Sequence, residues 1–457
     1  MTTIAGFKAY DLRGRIPNEL NEDVAYRVGR GYAAFLSPKR VCVGRDIRLS
    51  SAALAAALIR GLTDAGVDVV DIGLCGTEGV YFATSHLNLD GGIMVTASHN
   101  PPDYNGMKFV REGSRPISGD TGLKEIKALA EAASATPVAA RGHVEPVDTT
   151  EAYVTHLLSY IDRTRLKPLK IVTNAGNGGA GVFLDRLAPH LPLEFVKLRN
   201  EPDGHFPNGV PNPMLVENRT VVVEAVRSSG ADLGIAWDGD FDRCFFFDEQ
   251  GTFIEGYYIV GLLASVFLAR EQGARIVHDP RLVWNTVDIV QSLGGKAVLC
   301  KSGHAFIKAK MREADAIYGG EMSAHHYFRP FAYCDSGMIP WLVMAQILAD
   351  TGKPLSALVG ERMRLYPASG EINYRIADVP GAIAAVEATY GAGATLLDRT
   401  DGLSLEFDAW RVNVRGSNTE PLIRVNVESR ADHALMEDRT QAVLGLLASL
   451  GGVPADH

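Results

Sequence analysis

Three carboxylates recur at every second position of the stretch DGDFDR, which contains Asp238, Asp240 and Asp242. In an extended or turning segment, alternate side chains fall on one side of the chain, so these carboxylates can offer hard oxygen ligands to one divalent cation. An EF-hand calcium loop has glycine at its sixth position and flanking helices, whereas Arg243 and strand-like apolar flanks are found here. An acidic surface turn is poorly compatible with the same flanks. The spacing therefore predicts a metal site, and magnesium is the ion that we expect.

A second reactive segment, TASHNPPDYNGMK, places Ser98, His99 and Lys108 close together along the chain. A serine in such a stretch is usually a turn or capping residue. Near a magnesium ion, however, its hydroxyl could accept a phosphoryl group while His99 or Lys108 carries the proton. Gly106 permits a positive φ, which could turn Lys108 back toward Ser98. A serine hydrolase is less well supported, because the G-x-S-x-G elbow is missing.

Two strand-like segments near the C-terminus enclose the polar turn GSNT. In WRVNVRGSNTEPLIRVNVE, apolar and polar residues alternate on both sides of the turn, which predicts two strands that share one polar face. The turn supplies Ser417, Asn418 and Thr419, and it is flanked by Arg415 and Arg424. Guanidinium groups, hydroxyls and amides together suit a phosphate dianion. An ordinary polar hairpin explains the arginines but not the cluster of small donors.

The segment GGEMSAHHYF contributes Glu321, Ser323 and His325 after a short apolar run. A carboxylate and a hydroxyl two residues apart can bind vicinal sugar hydroxyls, and His325 is a candidate proton carrier. The alternative is a loop whose glutamate caps a helix and whose histidines pack under the aromatic residues that follow. The segment thus extends the list of candidate sugar contacts without identifying a sugar.

Composition limits the class of protein. The 457 residues, 46% of them hydrophobic, allow roughly three or four domains with buried cores. A net charge of −9 without a long basic run argues against nucleic acid or an anionic membrane as the main partner. Five scattered cysteines without CxxC spacing, and no recognisable secretory leader, predict a reducing cytoplasm. The apolar stretch 256–269 is shorter than the roughly 20 residues of a membrane span.

The order of patterns along the chain predicts successive α/β units. Short β-branched runs precede helical patterns near residues 40, 170 and 275, and each unit contains a further apolar strand that ends at one of the polar loops described above. Ligands of open α/β sheets gather beyond the carboxyl ends of the strands, so the three loops could converge on one cleft. Alternating strands from about Ser369, followed by a terminal helix, predict a fourth, α+β domain.

Together these segments resemble the α-D-phosphohexomutase family, in particular its bacterial phosphomannomutase/phosphoglucomutase members. The matching motifs occur in family order over nearly the whole chain: FKAYDLRG, TASHNPPDYNGMK, DGDFDR, GEMSAHH and RGSNTEP. The resemblance implies three α/β domains of shared topology with mixed sheets and a C-terminal α+β domain of TATA-binding-protein-like fold. The expected domains are a phosphoserine domain (1–145), a metal-binding domain (146–250), a sugar-binding domain (251–367) and a phosphate-binding domain (368–457).

The resemblance also implies a mechanism and a set of site residues. Ser98 would be the phosphoserine and would bind Mg²⁺ with the three aspartates, and Arg243 would neighbour it. The existing phosphate of the sugar would bind at Arg415, Ser417, Asn418, Thr419 and Arg424, and a hexose 1,6-bisphosphate would serve as intermediate and activator. Similarity adds further substrate contacts: Tyr10, Arg13, Arg281 and His304. The motif GEMS resembles glucose- and mannose-type mutases, so we expect the enzyme to use both hexose phosphates in nucleotide-sugar synthesis. We also expect a monomer or weak dimer.

Three rival functions stay open at the level of sequence. GNGGAG (176–181) fits the dinucleotide-binding pattern G-x-G-x-x-G, with Glu201 about 20 residues on, although that residue falls in a turn-like segment. A phosphosugar-binding protein could keep the phosphate clamp without turnover. A metal-dependent phosphatase would release phosphate steadily. The presence of both Ser98 and the aspartate triad favours the mutase over the binding protein.

Overall fold

The computed structural model of the protein describes residues 3–133, 136–417 and 422–455. The chain divides into two compact units: the first unit is Met1–Thr252 with Tyr327–Thr351, and the second unit is Phe253–His326 with Gly352–His457. Among the described residues, no helix combines the length and the apolar character that a membrane crossing requires. The two units are described separately below.

The elements up to residue 158 alternate between strands and helices. They are β1 (Leu12–Arg15), α1 (Glu22–Leu36), β2 (Arg40–Arg45), α2 (Ser51–Thr63), β3 (Asp68–Leu74), α3 (Thr77–His86), β4 (Gly91–Val95), β5 (Tyr104–Arg111), β6 (Arg115–Pro116), α4 (Leu123–Ala132), β7 (Val144–Pro146) and α5 (Thr150–Leu158).

The same alternation continues to residue 351. The elements are β8 (Lys170–Asn174), α6 (Ala180–Leu187), β9 (Glu194–Leu198), α7 (Thr220–Ser229), β10 (Leu233–Trp237), β11 (Cys244–Phe247), β12 (Phe253–Ile254), α8 (Gly256–Arg270), β13 (Arg275–His278), α9 (Trp284–Ser292), β14 (Lys296–Leu299), α10 (His304–Ala314), β15 (Tyr318–Gly320), β16 (His326–Phe328), β17 (Cys334–Asp335) and α11 (Met338–Thr351).

The C-terminal part is richer in strands. Its elements are α12 (Leu355–Leu365), β18 (Ile372–Arg375), α13 (Val379–Tyr390), β19 (Leu396–Asp398), β20 (Leu403–Glu406), β21 (Trp410–Gly416), β22 (Leu422–Ser429), α14 (His433–Ser449) and β23 (Val453–Ala455).

The first unit contains two mixed sheets. In the first sheet the strand order is β1-β5-β4-β2-β3-β7, with β2, β3 and β4 parallel and β5 antiparallel to β4. In the second, β8 lies between β9 and β10 in parallel, and β11 is antiparallel to β10. β4 and β10 are fully buried apolar runs, as expected for inner strands covered on both faces. Each of them ends immediately before a predicted reactive loop.

The second unit contains three parallel strands arranged like those of the first unit, and a separate antiparallel sheet. β13 lies between β14 and β15 in parallel, as β2 lies between β3 and β4. The antiparallel sheet has the order β19-β20-β21-β22-β18-β23, and its apolar face packs with α13 and α14 around Val412, Val425 and Val443. The predicted fold class, three α/β domains of shared topology and a C-terminal α+β domain, is confirmed.

Candidate functional site

A buried arginine, Arg48, fixes the backbone of the loop that carries Ser98. Arg48 donates its four terminal N–H groups to backbone carbonyls of the loop, those of Ser98 (2.9 Å), Asn100 (2.6 Å), Pro101 (2.7 Å) and Tyr104 (2.9 Å). Ser98 itself has a φ of 48°, which is rare for a residue with a side chain. The clamp keeps this backbone in a conformation that the sequence alone would not favour.

A second set of contacts fixes the amide side of the same loop. The Ser98 amide donates to Thr96 Oγ1 (3.0 Å), and the Thr96 hydroxyl donates to Asp46 Oδ2 (2.7 Å). Asp46 and Arg48 follow β2, whose carboxyl end lies beside that of the parallel strand β4. The sequence analysis did not single out either residue. Their position directly after a strand that pairs with β4 was the signal that could have identified them.

The three aspartates of DGDFDR lie beside the serine in the first unit. The Ser98 hydroxyl donates to Asp238 Oδ2 at 3.0 Å, and Asp238, Asp240 and Asp242 each offer a carboxylate oxygen within 4.8 Å of the others. The three residues are at most 2% exposed. One Asp240 oxygen, Oδ1, is buried and accepts no hydrogen bond from the described residues. Hard, buried oxygens with an unsatisfied member fit a divalent cation such as magnesium.

Lys108 neutralises part of this acidic cluster. Its Nζ lies 2.7 Å from Asp240 Oδ2 and 2.7 Å from Asp242 Oδ2, and it donates to Thr77 Oγ1 at 3.3 Å. Burial by itself lowers the pKa of the Lys108 amine, but the two aspartates outweigh it and raise that pKa above its usual value. Thr77, which also donates to Asp240 at 2.5 Å, is a further site neighbour that the sequence analysis missed.

The expected role of Gly106 was wrong. Gly106 lies inside β5 and is not among the glycines with positive φ. Its side is occupied by β1, because a Cβ at this position would lie 2.1 Å from the Leu12 carbonyl oxygen. Close pairing with β1 therefore explains the glycine. Lys108 reaches the aspartates because alternate residues of a strand point to one face of the sheet.

Arg243 links the acidic cluster to the serine loop. Its guanidinium donates from Nε to Asp238 Oδ2 at 2.8 Å, and its Nη2 lies 2.6 Å from His99 Nδ1. A guanidinium has no acceptor, so His99 Nδ1 must be the unprotonated ring nitrogen. The same nitrogen lies 3.2 Å from Ser98 Oγ. The structure therefore brings Ser98, His99, Lys108, Arg243 and the aspartates together in the first unit.

Arg13 also reaches the serine loop, and Tyr10 lies three residues before it. Arg13 lies on β1, donates to Asp11 at 2.7 Å and donates to the Asn100 side chain at 2.7 Å. Tyr10 is half-buried in the turn before β1, where the Lys8 amide donates to the Asp11 carbonyl. The segment FKAYDLRG thus places Arg13 against the serine loop.

In the second unit, Asp279 connects two of the expected substrate-binding segments. The loop after β13 places Asp279 Oδ2 2.8 Å from Arg281 Nη2, and the same oxygen accepts the Met322 amide at 2.8 Å. Arg281 also donates to Ser323 Oγ at 3.2 Å and lies 3.5 Å from Glu321. The parallel pairing of β13 and β15 explains this meeting, because both loops leave the sheet at the same edge.

The two expected histidines lie near the same edge. His304 begins α10, and the Gly303 amide before it donates to Glu321 Oε2 at 2.9 Å. The rings of His304 and His325 have centroids 6.4 Å apart. His325 closes a tight turn in which the Glu321 amide donates to the His325 carbonyl. Arg281, His304, Glu321, Ser323 and His325 therefore form one polar group within the second unit.

The predicted C-terminal hairpin is present. β21 and β22 pair with Arg415 opposite Arg424, and the Ser417 amide donates to the Leu422 carbonyl at 2.8 Å. Asn418 and Thr419 lie outside the described residues. Glu371 Oε2 accepts from Arg415 at 3.0 Å, and Glu371 Oε1 accepts from Arg424 at 3.0 Å. Glu371 also lies 3.4 Å from Arg281, which brings the two arginine-bearing segments together.

The glycine-rich turn at 176–181 packs against its own unit. The Asn177 amide donates to the Arg199 carbonyl at 2.8 Å, and its side chain donates to the Glu201 carbonyl at 2.9 Å. A Cβ on Gly181 would lie 1.9 Å from the Asn200 carbonyl oxygen. Glu201 is exposed in the separate segment that follows β9. Close chain packing accounts for the glycines without a bound dinucleotide.

Comparison with known proteins places these sites in a family. Four family descriptions match the chain, all of them of phosphoglucomutase/phosphomannomutase: alpha/beta/alpha domain I (residues 5–136), alpha/beta/alpha domain II (151–251), alpha/beta/alpha domain III (255–366) and the C-terminal domain (371–445). The chain belongs to the phosphoglucomutase/phosphomannomutase family. The glycine-rich turn thus lies in domain II of this family, and the serine loop lies in domain I.

Individual relatives of the phosphoglucomutase/phosphomannomutase family match over the whole chain. A protein of Xanthomonas campestris pv. campestris named "Phosphohexose mutases" is 60% identical over 448 residues, covering 97% of this chain and 99% of that protein. A phosphomannomutase of Salmonella typhimurium is 60% identical, covering 98% and 100%. The crystal structure of a family protein from Burkholderia thailandensis superposes with a TM-score of 0.89 at 34% identity, covering 99% and 98%. The chain is accordingly an enzyme that interconverts phosphohexoses.

Proposed function

We propose that this enzyme interconverts the 6-phosphates and 1-phosphates of mannose and glucose through a phosphoserine at Ser98 and a hexose 1,6-bisphosphate. The observation that carries the proposal is the position of Ser98 Oγ, 3.0 Å from Asp238 in a buried cluster with Lys108 and Arg243. A serine hydroxyl becomes a phosphoryl carrier when cations offset the charge of the transferring group. Lys108 and Arg243 supply two such cations.

Magnesium is the proposed metal. Asp238, Asp240, Asp242 and Ser98 would hold it, since all four present oxygen atoms and no described residue donates a hydrogen bond to Asp240 Oδ1. When bound, the ion neutralises charge on the transferring phosphoryl group. Lys108 touches two of the same carboxylates, so this chain already contains a cation that keeps the cluster ordered.

The remaining proposed residues bind and orient the sugar phosphate. Arg281, Arg415 and Arg424 offer guanidinium groups to a phosphate dianion, and Ser417, Asn418 and Thr419 add small donors. Glu321, Ser323, His304, His325, Tyr10 and Arg13 are the proposed contacts to the sugar. His99 and Lys108 are the proposed proton carriers, and His99 Nδ1 lies nearer the hydroxyl, at 3.2 Å.

The proposed catalytic sequence conserves phosphate. The phosphoryl group leaves Ser98 Oγ and bonds to the free hydroxyl oxygen of the sugar phosphate; the proton of that hydroxyl goes to a proton carrier, and Ser98 Oγ takes up a proton. The bisphosphate then turns around, and its other phosphoryl group bonds to Ser98 Oγ, which gives up its proton while the sugar oxygen that is released takes one up. The net result moves the phosphate between C6 and C1 of the hexose. All five cysteines are free and buried, which is compatible with the proposed cytoplasmic location.

Intact mass of the purified enzyme tests the phosphoserine. We expect the mass of one phosphate in the wild type after incubation with glucose 1,6-bisphosphate, and its loss in Ser98→Ala. Ser114→Ala is a matched control in the same domain, because this buried hydroxyl donates to the Tyr81 carbonyl away from the aspartates. A phosphate that stays on Ser98→Ala, or steady phosphate release from glucose 1-phosphate, would contradict the proposal.

Paired assays test the breadth of the substrate. We expect mutase activity on both mannose 1-phosphate and glucose 1-phosphate, because the two sugars differ at C2 alone. The bisphosphate of the matching sugar is supplied in each assay so that Ser98 is phosphorylated in both. Activity on a single sugar would limit the function to that hexose while leaving the phosphoserine mechanism intact.

A further inference from the structure

Glu371 is a buried carboxylate that contacts three arginines of the second unit. Its Oε2 lies 3.0 Å from Arg415 Nη2 and 3.4 Å from Arg281 Nη1, and its Oε1 lies 3.0 Å from Arg424 Nη1. The residue stands directly before β18, in the segment SGEINY. The motifs that identified the site do not include it, and its three partners are 44 to 90 residues away along the chain.

The strand register explains why a carboxylate is needed at this place. Arg415 and Arg424 stand directly opposite each other in the antiparallel pair of β21 and β22. Like charges at directly opposed positions repel, and burial increases that repulsion. β18 pairs with β22 on its other side, with Asn373 opposite Arg424, and this pairing brings Glu371 to the two guanidinium groups. The sheet itself therefore delivers the compensating charge.

The depth of the side chains shows from which side Glu371 acts. Its side chain is 3% exposed, compared with 7% for Arg415 and 26% for Arg424. Arg415 Nη2 donates a hydrogen bond to Glu371 Oε2, whereas the Nε–H of Arg415 is buried and has no acceptor among the described residues. The carboxylate thus holds the arginines from the interior and leaves a donor of Arg415 for another anion.

We propose that Glu371 is a positioning residue for phosphate binding: it fixes the directions of the Arg281, Arg415 and Arg424 guanidinium groups so that their remaining donors converge on the substrate phosphate. This inference rests on the proposed function for the identity of the substrate, although its geometric part concerns the binding of any phosphate. Glu371 does not contact the substrate in this proposal and takes no part in bond making.

The sign of the kinetic effect separates positioning from simple charge balance. If the carboxylate only offset positive charge, its removal would strengthen the attraction of the arginines for a phosphate and lower KM. If it positions the guanidinium groups, its removal lets them turn away from their bound directions, and KM rises. The phosphoryl transfer step at Ser98 does not depend on Glu371 in either case, so kcat changes less than KM.

Two variants and a control test the proposal with full-length enzyme. Glu371→Gln keeps the length of the side chain and removes its charge, whereas Glu371→Asp keeps the charge and shortens the reach by one methylene. Glu406→Gln, on β20 of the same sheet and 3.7 Å from Arg430, is the matched control. The measurements are KM and kcat with glucose 1-phosphate and the constant for competitive inhibition by inorganic phosphate. The intact mass of each enzyme reports the phosphorylation of Ser98.

We expect both Glu371 variants to raise KM and the inhibition constant of inorganic phosphate by about tenfold, with kcat within about threefold of the wild type. Phosphorylation of Ser98 and all properties of the control should stay unchanged. An unchanged or lower KM in Glu371→Gln overturns the proposal, as does wild-type behaviour of Glu371→Asp. If Glu371→Gln does not fold, Glu371→Asp decides the question alone.

Failure of the proposed function gives a different pattern. A wild type without mutase activity would reject the proposed function, and the affinity for inorganic phosphate, measured by calorimetry, would then test Glu371 directly. A wild type with mutase activity and Glu371 variants with unchanged KM would reject only the role of Glu371. Weaker phosphate binding in both variants supports it in either case.

Discussion

The serine site of the first unit and the arginine site of the second unit are built with opposite charges. In the first, Asp238, Asp240 and Asp242 are paired with Lys108 and Arg243, and Asp240 Oδ1 has no hydrogen-bond donor among the described residues. In the second, arginines are paired with carboxylates, and Arg415 Nε has no acceptor within the part of the chain that the structure describes. These two atoms fit the proposed ligands, a cation at the aspartates and a phosphate anion at the arginines.

Two buried glutamates, Glu78 in the first unit and Glu371 in the second, also differ in their neighbouring charges. Glu78, at the start of α3 in the first unit, is fully buried, and neither carboxyl oxygen meets the geometry of a hydrogen bond among the described residues. Burial raises the pKa of Glu78 to about 8. Burial acts on Glu371 in the same direction, but Arg281, Arg424 and Arg415 outweigh it and lower the pKa of Glu371 to about 2. Neighbouring cations decide which carboxyl is charged in the folded enzyme.

The largest effect is expected at the acidic cluster. Asp240→Asn removes a charge that Lys108, Thr77 and the proposed metal share, so we expect kcat to fall by about 10²- to 10³-fold. The mutase assay is run over a range of magnesium concentrations. Asp185→Asn is the control, because this carboxylate lies at the surface of the same unit, where it pairs with Lys197 and accepts a hydrogen bond from Asn200. An Asp240→Asn enzyme with near-normal kcat at low magnesium would break the comparison drawn above.

The arginines of the second unit should affect binding more than turnover. Arg415→Lys keeps a positive charge but loses the planar donor arrangement, so we expect KM for glucose 1-phosphate to rise about ten- to a hundredfold. Arg424→Lys should raise KM less, because its side chain is 26% exposed and water can replace part of its contacts. Steady-state kinetics of both variants measures the difference. Equal effects at the two positions would show that burial does not rank them.

Glu78 should make stability depend on pH. Its pKa in the folded enzyme, about 8, lies above that of an unfolded glutamate, near 4.3, so the folded state binds more protons. Its favourable contribution is therefore complete below about pH 4 and is lost as pH rises toward 8. We expect Glu78→Gln to abolish this loss and to be more stable than the wild type at pH 8 by a few kcal/mol.

Thermal unfolding at pH 5 and pH 8 measures this effect, and we expect the advantage of Glu78→Gln at pH 8 to shrink at pH 5. Glu371 provides the opposite case, since its lowered pKa gives stability that is present above about pH 4.3 and lost as pH falls toward 2. A Glu78→Gln enzyme with the same pH profile as the wild type would mean that the carboxyl finds a compensating partner.

The smallest effect is expected at a helix cap outside both sites. The Asp432 side chain accepts the Leu435 amide at 2.9 Å at the start of α14. Asp432→Ala should lower stability by about 1 kcal/mol and leave KM and kcat unchanged. Thermal unfolding and steady-state kinetics check the two statements. A change in KM would mean that the start of α14 affects substrate binding, which the contacts of the arginines do not indicate.

Local patterns were sufficient to predict much of the fold and the site. Buried strands such as β4 and β10 are continuous apolar runs, and the loops after them carry Ser98 and Asp238. The alternation in β21 and β22 predicted their common polar face, because side-chain period is a property of the strand itself. These features depend on residues that are adjacent in the sequence, so the sequence of one chain is enough to predict them.

The residues that were missed depend on partners far along the chain. Arg48 and Glu371 contact loops or strands that lie 44 to 90 residues away, and no short motif marks either of them. The error at Gly106 has the same origin, because the close approach of β1 requires the glycine there. Tertiary pairing decides such positions, and local propensity does not report it.

The contacts of Arg48 bear on the proposed phosphorylation of Ser98. Every terminal N–H of this arginine is taken by a backbone carbonyl of the serine loop. If Ser98 carries the proposed phosphate ester, the terminal N–H groups of Arg48 are already committed, in contrast to regulatory phosphosites, where new arginine contacts reorganise a segment. Under the proposed mechanism, phosphorylation would then change the charge at Ser98 without refolding the loop that bears it.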